Sequence, residues 1–578
     1  MHATITPMAH PRYVVASSPA LDVQESLRAY DPLLQQLLVN RGITDGAVAE
    51  QFLNPDFDTQ LHNPFLLTDM ERGALRVLRA IQEKERIMIY SDYDCDGIPG
   101  GVLLHDFFTA IGHDQFENYI PHRHEEGYGF NPDTVPGFKE KGVSLIITVD
   151  CGITDHAAVS RAQEAGIDVI VTDHHEPADT LPLAYAVINP KRDDAYPFSG
   201  ICGTTVAFKL VQAVLARGRA DGTITLKEGM EKWLLDLVGL ATVADMMPLR
   251  DESRVLARYG LMVLRKSPRP GLQHLLRKAG AGQRFLTEDD IGFTIAPRIN
   301  AASRMDDPED AFHMLRTRDE SEAGAYVAHL EKLNNERKGV VAHMTREARK
   351  RLKDREEIPS VIVIGDPEWR PSLVGLVAHS LAEEFKRPAF LWGRDGKGIL
   401  KGSCRSGGSM SVVSLMERAS DAFLTHGGHH ASGGFSVSHE RVHFLSDALC
   451  TAFDTGVSND SSGDALAVDM ILGAKDITAS LIRTLDMLAP FGAENPKPLF
   501  CIPDITPEHV SIFGKVKNHT KLSIRTGLGK IDAISFFKLP HEFTVLPEEG
   551  KVVTLLAHVE RSFFMGRLET RLRIVDIV

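Results

Sequence analysis

The sequence predicts an α/β protein: two α/β domains joined by a long helix, followed by a small β-rich domain at the C-terminal end. Three observations carry this expectation. Between residues 86 and 188 short apolar strands alternate with helical runs, the pattern of a mostly parallel sheet with helices on both faces. From Asp319 to about Glu356 the chain is rich in Glu, Lys and Arg, lacks proline, and spaces its apolar residues as a helix does. Beyond residue 466 the apolar runs are short and separated by turn residues.

Taken in order, residues 1–70 form an N-terminal extension of mixed composition with turn signals at Asn54-Pro55 and Asn63-Pro64, and no chemistry is legible in them. A domain over 71–317 follows. Arg86 to Tyr90 reads as a buried strand running into an acidic turn, and Gly100 to Gly112 as a helix. Val143 to Val149 is a second strand, again ending in an acid. A helix, a strand from Ile167 to Val171 ending in a polar cluster, and a fourth strand from Tyr185 to Ile188 complete the pattern. Open parallel sheets bind ligands at the carboxyl ends of their strands, and three successive strands here deliver acids and histidines to that end.

The connecting helix is placed at 318–357, with Tyr326, Leu330, Leu333, Val340, Val341, Met344, Ala348 and Leu352 near helical spacing. The alternative is two shorter helices broken near Gly339, since glycine costs about 1 kcal/mol inside a helix. A second α/β pattern starts at Val361-Ile362-Val363-Ile364-Gly365, passes a glycine-rich stretch near Gly427, and gives a domain over 358–455. Thr455 to Asp464 is a linker by composition. The β-rich domain, 466–578, contains the runs Ala533 to Phe537 and Val552 to Ala557.

Bulk properties narrow the classes. A chain of 578 residues exceeds one ordinary core. No apolar run reaches the roughly 18 residues of a membrane span, and MHATITPMAHPRYVV lacks a basic region followed by an apolar stretch, so a cytoplasmic protein without membrane contact is expected. Cys95, Cys151, Cys202, Cys404, Cys450 and Cys501 form no CxxC pair, which argues against a zinc ribbon; they read as buried free thiols. A net charge of −14 argues against a protein that coats nucleic acid by overall charge. A local basic groove remains compatible with it.

The acids are the chemical signal. Ser91-Asp92-Tyr93-Asp94-Cys95-Asp96-Gly97 places three aspartates at every second position after a strand. Asp150-Cys151-Gly152 ends the second strand, Asp173-His174-His175 the third, and Asp245 ends an apolar helical run, where the helix dipole disfavours it. Singly, each has a plain structural reading as a helix cap or surface group. Together, on one edge of one sheet, they form a cluster that repels itself unless cations or shared protons join it. Carboxylate oxygens with a histidine nitrogen suit Mn²⁺ or Mg²⁺, and there are acids enough for two ions.

These residues also carry a resemblance. The order DxDxD, DCG, DHH and VADxxP is similar to the motifs of the DHH phosphoesterase superfamily. Pro297-Arg298-Ile299-Asn300-Ala301-Ala302-Ser303-Arg304-Met305, Gly427-Gly428-His429-His430-Ala431-Ser432-Gly433-Gly434 and Pro490-Phe491-Gly492-Ala493-Glu494-Asn495-Pro496 resemble segments of its RecJ branch, in the correct order over about residues 70 to 578. The resemblance implies a DHH domain, a DHH-associated domain and an oligonucleotide-binding (OB-like) barrel. It implies a two-metal exonuclease that releases mononucleotides from the 5′ end of single-stranded DNA in recombination and repair. Metal ligands then fall on Asp92, Asp94, Asp96, Asp150, His174 and Asp245, with Asp150 bridging and His175 beside the substrate phosphate. Asp150 and His175 are the expected catalytic pair. The sequence departs from the family pattern at Ile98-Pro99-Gly100, where Ala-Thr-Ser is usual, at Ser303 for Gly, and at Trp369-Arg370 for Trp-His.

Substrate contacts follow from the same resemblance. Arg123 and the Ser403/Arg405 pair match residues that bind the 5′ phosphate, for which a guanidinium fork is suited. Read from the residues themselves, Arg298 and Arg304, with Asn300, are expected on nucleic-acid phosphates, the two arginines alternatively bracing the acidic cluster; His429 and its glycines are expected near phosphate, or alternatively in a plain tight turn with a hydrogen-bonded histidine. Lys515, Lys517, His519, Lys521 and Arg525 near Phe513 suit single-strand binding by stacking and charge. The partners implied are single-stranded DNA, a single-strand binding protein and a RecQ-type helicase, with the chain a monomer. The competing expectation is a DHH phosphodiesterase for short oligonucleotides or cyclic dinucleotides, whose relatives generally lack a C-terminal region like 466–578. A metal-free nucleic-acid-binding scaffold is a third reading.

Overall fold

The computed structural model describes residues 9–10, 13–408, 410–455, 465–564 and 566–578. The linker expected at 455–464 lies outside the described residues from 456 onward, as does most of the N-terminal stretch read for a signal. The chain divides into two compact units: Met1–Tyr119, Pro132–Ala296 and Gly463–Val578 form the first, Ile120–Asn131 and Pro297–Ser462 the second.

The first unit holds a five-stranded parallel sheet of β1 (Arg86–Ser91), β2 (Phe116–Tyr119), β3 (Val143–Val149), β4 (Asp168–Thr172) and β5 (Ala186–Ile188), in the order β2-β1-β3-β4-β5. Its central strands are buried nearly throughout, as expected of a sheet covered on both faces. Helices α1 (Gly97–Ala110), α2 (His156–Glu164), α3 (Gly203–Ala220) and α4 (Leu235–Ala244) accompany it. Ser91 pairs with Val149, and Val149 with Thr172. Asp92, Asp150 and Asp173 therefore leave three neighbouring strands at one level.

Several expected bounds shift by one to three residues, the first strand running to Ser91 and the fourth starting at Ala186. Helix α1 begins at Gly97, three residues before the expected Gly100, because the acidic turn itself starts it: Asp94 Oδ1 accepts the N–H groups of Asp96 (2.8 Å) and Gly97 (3.2 Å). Pro99 sits in the first turn, where its missing N–H costs nothing. The third strand begins and ends one residue later than read, at Asp168–Thr172. The departure at Gly100 has a packing reason: a Cβ there would lie 2.5 Å from Val149 Cγ1.

In the second unit, α5 (Ala296–Met305) precedes α6 (Glu320–Lys353), which is one unbroken helix of 34 residues. Asp319 caps it by accepting the N–H groups of Ser321 and Glu322. A five-stranded sheet follows, built of β6 (Ile362–Gly365), β7 (Ala389–Arg394), β8 (Leu400–Arg405), β9 (Thr425–Gly428) and β10 (Ser432–Val437), with α7 (Pro371–Phe385) between β6 and β7. Only β6 and β7 pair in parallel; the remaining pairs are antiparallel.

The C-terminal region returns to the first unit as a seven-stranded sheet. Its strands are β11 (Met470–Ile471), β12 (Phe500–Ile505), β13 (His509–Phe513), β14 (His519–Thr526), β15 (Gly529–Ser535), β16 (Val553–Phe564) and β17 (Arg567–Ile577), in the order β11-β12-β16-β17-β15-β14-β13. The N-terminal extension packs here. Its helices Leu21–Ser26, Pro32–Val39 and Gly46–Leu53 share a core with this sheet, and the strand Tyr13–Val15 pairs with Leu466–Val468. All six cysteines are free, and all but the half-buried Cys450 are buried. Among the described residues no helix is long and apolar enough to cross a membrane.

Candidate metal centre

The site is assembled at the carboxyl ends of β1, β3 and β4, with Asp245 added at the C-terminal end of α4. The sheet ladder runs on into the acids: Asp92 N–H donates to Val149 O, Asp150 N–H to Thr172 O and Asp173 N–H to Ile188 O. Each carboxylate is thereby fixed at its root. Gly97 closes the acidic turn at a place where a Cβ would stand 2.4 Å from Asp92 O.

Asp96 is oriented by a helix end. Its two oxygens accept the Gly203 N–H (2.7 Å) and the Thr204 N–H (2.8 Å) at the start of α3, and Thr204 Oγ1 donates to its carbonyl (2.6 Å). The partial positive charge of a helix N-terminus favours an ionised carboxylate there. Asp150 takes left-handed backbone, φ 62°, and lies against Gly203, where a Cβ would fall 2.6 Å from Asp150 Cβ.

Asp173 does different work. Its Oδ1 accepts the N–H groups of His174 (2.7 Å) and His175 (3.1 Å) and the Nδ1–H of His175 (2.8 Å), and its Oδ2 accepts the Ile153 N–H (3.0 Å). Burial works against its charge, but these donors hold its carboxyl down to about 2. Burial likewise opposes the charged form of His175, yet its bond to Asp173 raises it to about 9. Asp173 thus aims a protonated His175 and has little capacity left for a cation.

The expected ligands converge. His174 Nε2 lies 3.2 Å from Asp150 Oδ1, 3.5 Å from Asp245 Oδ2 and 3.6 Å from Asp96 Oδ2. Three sets of ligand atoms each gather within 4.8 Å: Asp96, His174 and Asp245; Asp92, Asp94 and Asp150; and Asp150, His174 and His175. Asp92, Asp96, Asp150 and His174 are buried, Asp94 and Asp245 half-buried.

This crowding has an electrostatic signature. Burial, then the charges of Asp96, Asp94 and Asp92, push the Asp150 carboxyl far above its ordinary range. Burial, then Asp96 and Asp94, raise Asp245 to about 9. Burial lowers His174 to about 4, leaving a neutral imidazole with a lone pair to offer. Asp245 Oδ2 is buried and accepts no hydrogen bond among the described residues. A cluster of this kind needs cations or protons to persist, and its oxygen and imidazole donors fit Mn²⁺ or Mg²⁺. Burial raises the thiols of Cys95, Cys151 and Cys202 well above their ordinary range, so thiolates do not compete as ligands.

The residues expected on phosphate lie in the second unit, several of them around the start of α7. Ser372 Oγ donates to Arg304 O (2.9 Å), and Arg304 Nη1 donates back to Ser372 O (2.6 Å). Arg405 Nη1 donates to Ser403 Oγ (2.9 Å) and Cys404 O (2.7 Å), and both side chains border Gly375. Arg123, on the Ile120–Asn131 segment, and Arg370, the N-cap of α7, both bear on His124, whose imidazole is held below its ordinary value by burial, His122, Arg123 and Arg370. Arg298 Nε donates to Glu331 (2.6 Å), and Asn300 is half-buried on α5. His429 is exposed in a tight turn between β9 and β10, its N–H bonded to Ser432 O (2.7 Å).

In the C-terminal sheet, His519 packs against Phe513, Phe536 and Phe537. Lys521 pairs with Asp532 and Arg525 with Glu508, so part of that basic set is neutralised locally. Sequence reasoning missed Gly203 and Thr204, the positioning role of Asp173, and Ser372. The one available signal for the first was Cys202-Gly203-Thr204-Thr205 standing before an apolar helical run.

Comparison with known proteins places these features. The model of the DHH family, N-terminal domain, matches residues 86–242; the DHHA1 domain matches 358–454 and the RecJ OB domain 468–576. The chain is 35% identical over 548 residues to the single-stranded-DNA-specific exonuclease RecJ of Bacillus subtilis (strain 168), covering 94% of this chain and 68% of the relative. It is 32% identical to that of Escherichia coli (strain K12), covering 81% and 83%. The crystal structure of RecJ in complex with Mn²⁺ from Thermus thermophilus superimposes with a TM-score of 0.80 at 28% identity, over 98% of this chain and 79% of that one. With the ligand order, the three domain matches and similarity over 94% of this chain in agreement, the chain belongs to the RecJ family.

Proposed function

We propose that the protein is a metal-dependent exonuclease that degrades single-stranded DNA from the 5′ end, releasing mononucleotides, in DNA recombination and repair. One observation carries the chemistry: two ligand sets, Asp92/Asp94/Asp150 and Asp96/His174/Asp245, joined through the contact of Asp150 with His174. Asp92, Asp94, Asp96, Asp150, His174 and Asp245 would hold two Mn²⁺ or Mg²⁺ ions, with Asp150 shared. Such ions activate water and offset charge at phosphorus.

The chain's own groups do the rest. Asp96, clamped by the start of α3, and Asp150, fixed by the sheet ladder, keep the ligand oxygens close. His175, oriented by the Asp173 carboxylate that accepts its Nδ1–H, serves as the group that contacts a phosphoryl oxygen. End selection rests on Arg123, Ser403 and Arg405. A terminal phosphate carries more charge than a diester and accepts a guanidinium fork. Arg298, Asn300, Arg304 and His429 contact the strand behind it. The aromatic and basic group around Phe513 and His519 stacks bases. We further propose a cytoplasmic monomer that works with a single-strand binding protein and a RecQ-type helicase. The region 466–578 argues against a phosphodiesterase confined to short substrates.

The test is 5′-phosphorylated single-stranded and duplex DNA, labelled at either end, with Mn²⁺, Mg²⁺ or EDTA. Release of mononucleotides from the 5′ end of the single strand, abolished by EDTA, is expected. Asp150→Ala is expected to reduce the rate by more than about a hundredfold, since groups that merely support metal ligands already cost ten- to a hundredfold. Turnover of dinucleotides without degradation of long strands would replace this reading by the short-substrate one.

A further inference from the structure

The sheet edge that carries the metal ligands has one more contributor. β5 is the neighbour of β4, Thr172 pairs with Ile188, and the Asp173 N–H donates to Ile188 O. Asn189, Pro190 and Lys191 therefore leave β5 at the level at which Asp173, His174 and His175 leave β4. No expectation from the sequence included them.

The turn is tied down on both sides. Asn189 is 1% exposed; its Nδ2 donates to His175 O (2.9 Å), and its Oδ1 accepts the Lys191 N–H (2.7 Å). One buried amide thus fastens the Lys191 backbone to His175. On the far side, Arg192 Nη1 donates to Val187 O (2.6 Å) and to Asp69 Oδ2 (2.7 Å), which anchors the turn to its own strand and to the N-cap of the helix Met70–Glu83. Supporting hydrogen bonds of this kind fix where a side chain can reach.

The ammonium itself lies beside the ligands. Lys191 Nζ is 3.0 Å from Glu176 Oε1, and Glu176 follows His175 in the chain. Burial dominates the proton affinities of His174 and Asp245, and Lys191 is among the charges that lower both. These two residues come from different elements and belong, with Asp96, to one ligand set. An ammonium felt by both stands on the side of that set. The pair with Glu176 does not account for it: the Glu176 side chain is 66% exposed, such pairs add little to stability, and none of them calls for a buried asparagine. A fixed cation beside a cluster that must gather cations is also unfavourable in itself. An anion that arrives at the same place removes the conflict. The Lys191 side chain, 24% exposed, is within reach of one.

We infer that Lys191 is a further catalytic residue, whose ammonium contacts an unesterified oxygen of the phosphodiester being cut, on the side of Asp96, His174 and Asp245, with Asn189 as its positioning residue. The inference rests on the exonuclease reading for the identity of the anion. Lys191 keeps its proton throughout and supplies charge alone, as fixed donors at a developing oxyanion do. Its task differs from that of Arg123, Ser403 and Arg405, which are assigned to the terminal phosphate.

Lys191→Gln and Lys191→Arg, with melting temperatures as control for folding, are compared with the wild type on a short and a long 5′-phosphorylated oligodeoxythymidylate. Lys191→Gln is expected to lower kcat about a hundredfold, the range for loss of one donor at a developing oxyanion, equally on both lengths, and Lys191→Arg to recover most of it. Calorimetric titration with Mn²⁺ in the absence of DNA gives a readout that support of the ligands would move the other way. Removing a cation beside the ligand set relieves repulsion, so Lys191→Gln binds Mn²⁺ as tightly as the wild type or up to about tenfold more tightly. Wild-type kcat in Lys191→Gln overturns the proposal. So does a loss confined to the long strand, which puts Lys191 on a remote phosphate, and so does a loss accompanied by weaker Mn²⁺ binding, which makes Lys191 a support for the ligands. A wild-type protein that binds Mn²⁺ and cuts neither strand removes the exonuclease reading, and this role with it.

Discussion

At Gly203 the absence of a side chain sets how tightly the metal cluster can be drawn together. A Cβ there would lie 2.6 Å from Asp150 Cβ and 2.7 Å from Asp150 Cα, and neither atom belongs to a flexible side-chain end that could swing away. Gly203→Ala must therefore push Asp150 from the start of α3 or pull the Gly203 and Thr204 N–H groups off Asp96. We expect Mn²⁺ affinity to fall about ten- to a hundredfold, the range for losing support of a ligand, with a small change in melting temperature of the metal-free protein. Calorimetric titration with Mn²⁺ decides it, and unaltered affinity would show that the contact is slack. The ligands were legible because each follows a strand or closes an apolar helix: Asp92, Asp150, His174 and Asp245 stand where hydrophobic pattern ends. Gly203 was not legible. Its partner Asp96 lies 107 residues away, and nothing local marks a glycine as abutting a carboxylate.

Among elements, α6 shows apolar spacing and packing overriding a local propensity. The spacing of Leu330, Leu333, Met344, Ala348 and Leu352 predicted a helix, and these residues are its buried stripe. Gly339 left a break open, but the helix runs through it, with no heavy atom outside the helix backbone within 4 Å of a Cβ at that position. The packing on either side outweighs the loss. Gly339→Ala should accordingly stabilise the protein by about 0.5–1 kcal/mol, because alanine narrows the unfolded ensemble and meets no obstacle. Urea unfolding at fixed metal concentration measures it; destabilisation would mean that the chain exploits flexibility there. The N-terminal helices were invisible for the converse reason. Leu21–Ser26, Pro32–Val39 and Gly46–Leu53 have six to eight residues each, too short to be stable by local preference. They exist because the C-terminal sheet covers their apolar faces, a contact no window of sequence contains.

Across the whole molecule, the first unit is built from chain segments that a linear domain reading keeps apart. The seam between catalytic helices and the C-terminal sheet contains a cavity of about 480 Å³, lined by Arg265, Glu288, Lys497 and Glu560 among others. Burial is the main reason Glu288 is raised from 4.5 to about 7. A carboxyl whose folded value exceeds its unfolded one binds its proton more readily in the folded state. Its contribution is most favourable below pH 4.5 and is lost as pH rises to 7. Glu288→Gln should leave stability near pH 4.5 unchanged and raise it by on the order of 3 kcal/mol at pH 8. Melting curves at the two pH values test this; an equal shift at both would assign the effect to packing instead.

The same seam predicts what the N-terminal extension is for. Arg254, almost fully buried, has no carboxylate partner among the described residues; it donates to Phe52 O (2.6 Å), Leu488 O (3.0 Å), Met487 O and Ala489 O (both 3.3 Å), and its guanidinium lies 3.6 Å from the Phe52 ring centroid. It thus caps the carbonyl end of helix Ala479–Leu488 from the catalytic side while gripping the extension. Leu27, Leu34, Leu37, Leu38, Ile43, Ala49 and Leu53 enter the same core as Phe500, Ile502, Leu522 and Leu572 of the C-terminal sheet. At about 1.5–3 kcal/mol for each large apolar side chain buried, their removal costs as much as the roughly 5–15 kcal/mol by which a domain is ordinarily stable. Deleting residues 1–56 should then unfold the C-terminal sheet although none of its own residues is touched. Hydrogen exchange would show this as loss of protection in β12, β14 and β16 with β1, β3 and β4 still protected. Single-strand affinity would fall with it, because the stacking group around His519 depends on that sheet. Retained protection in β12 and β16 would mean that the C-terminal sheet holds its own core and that the extension only covers it.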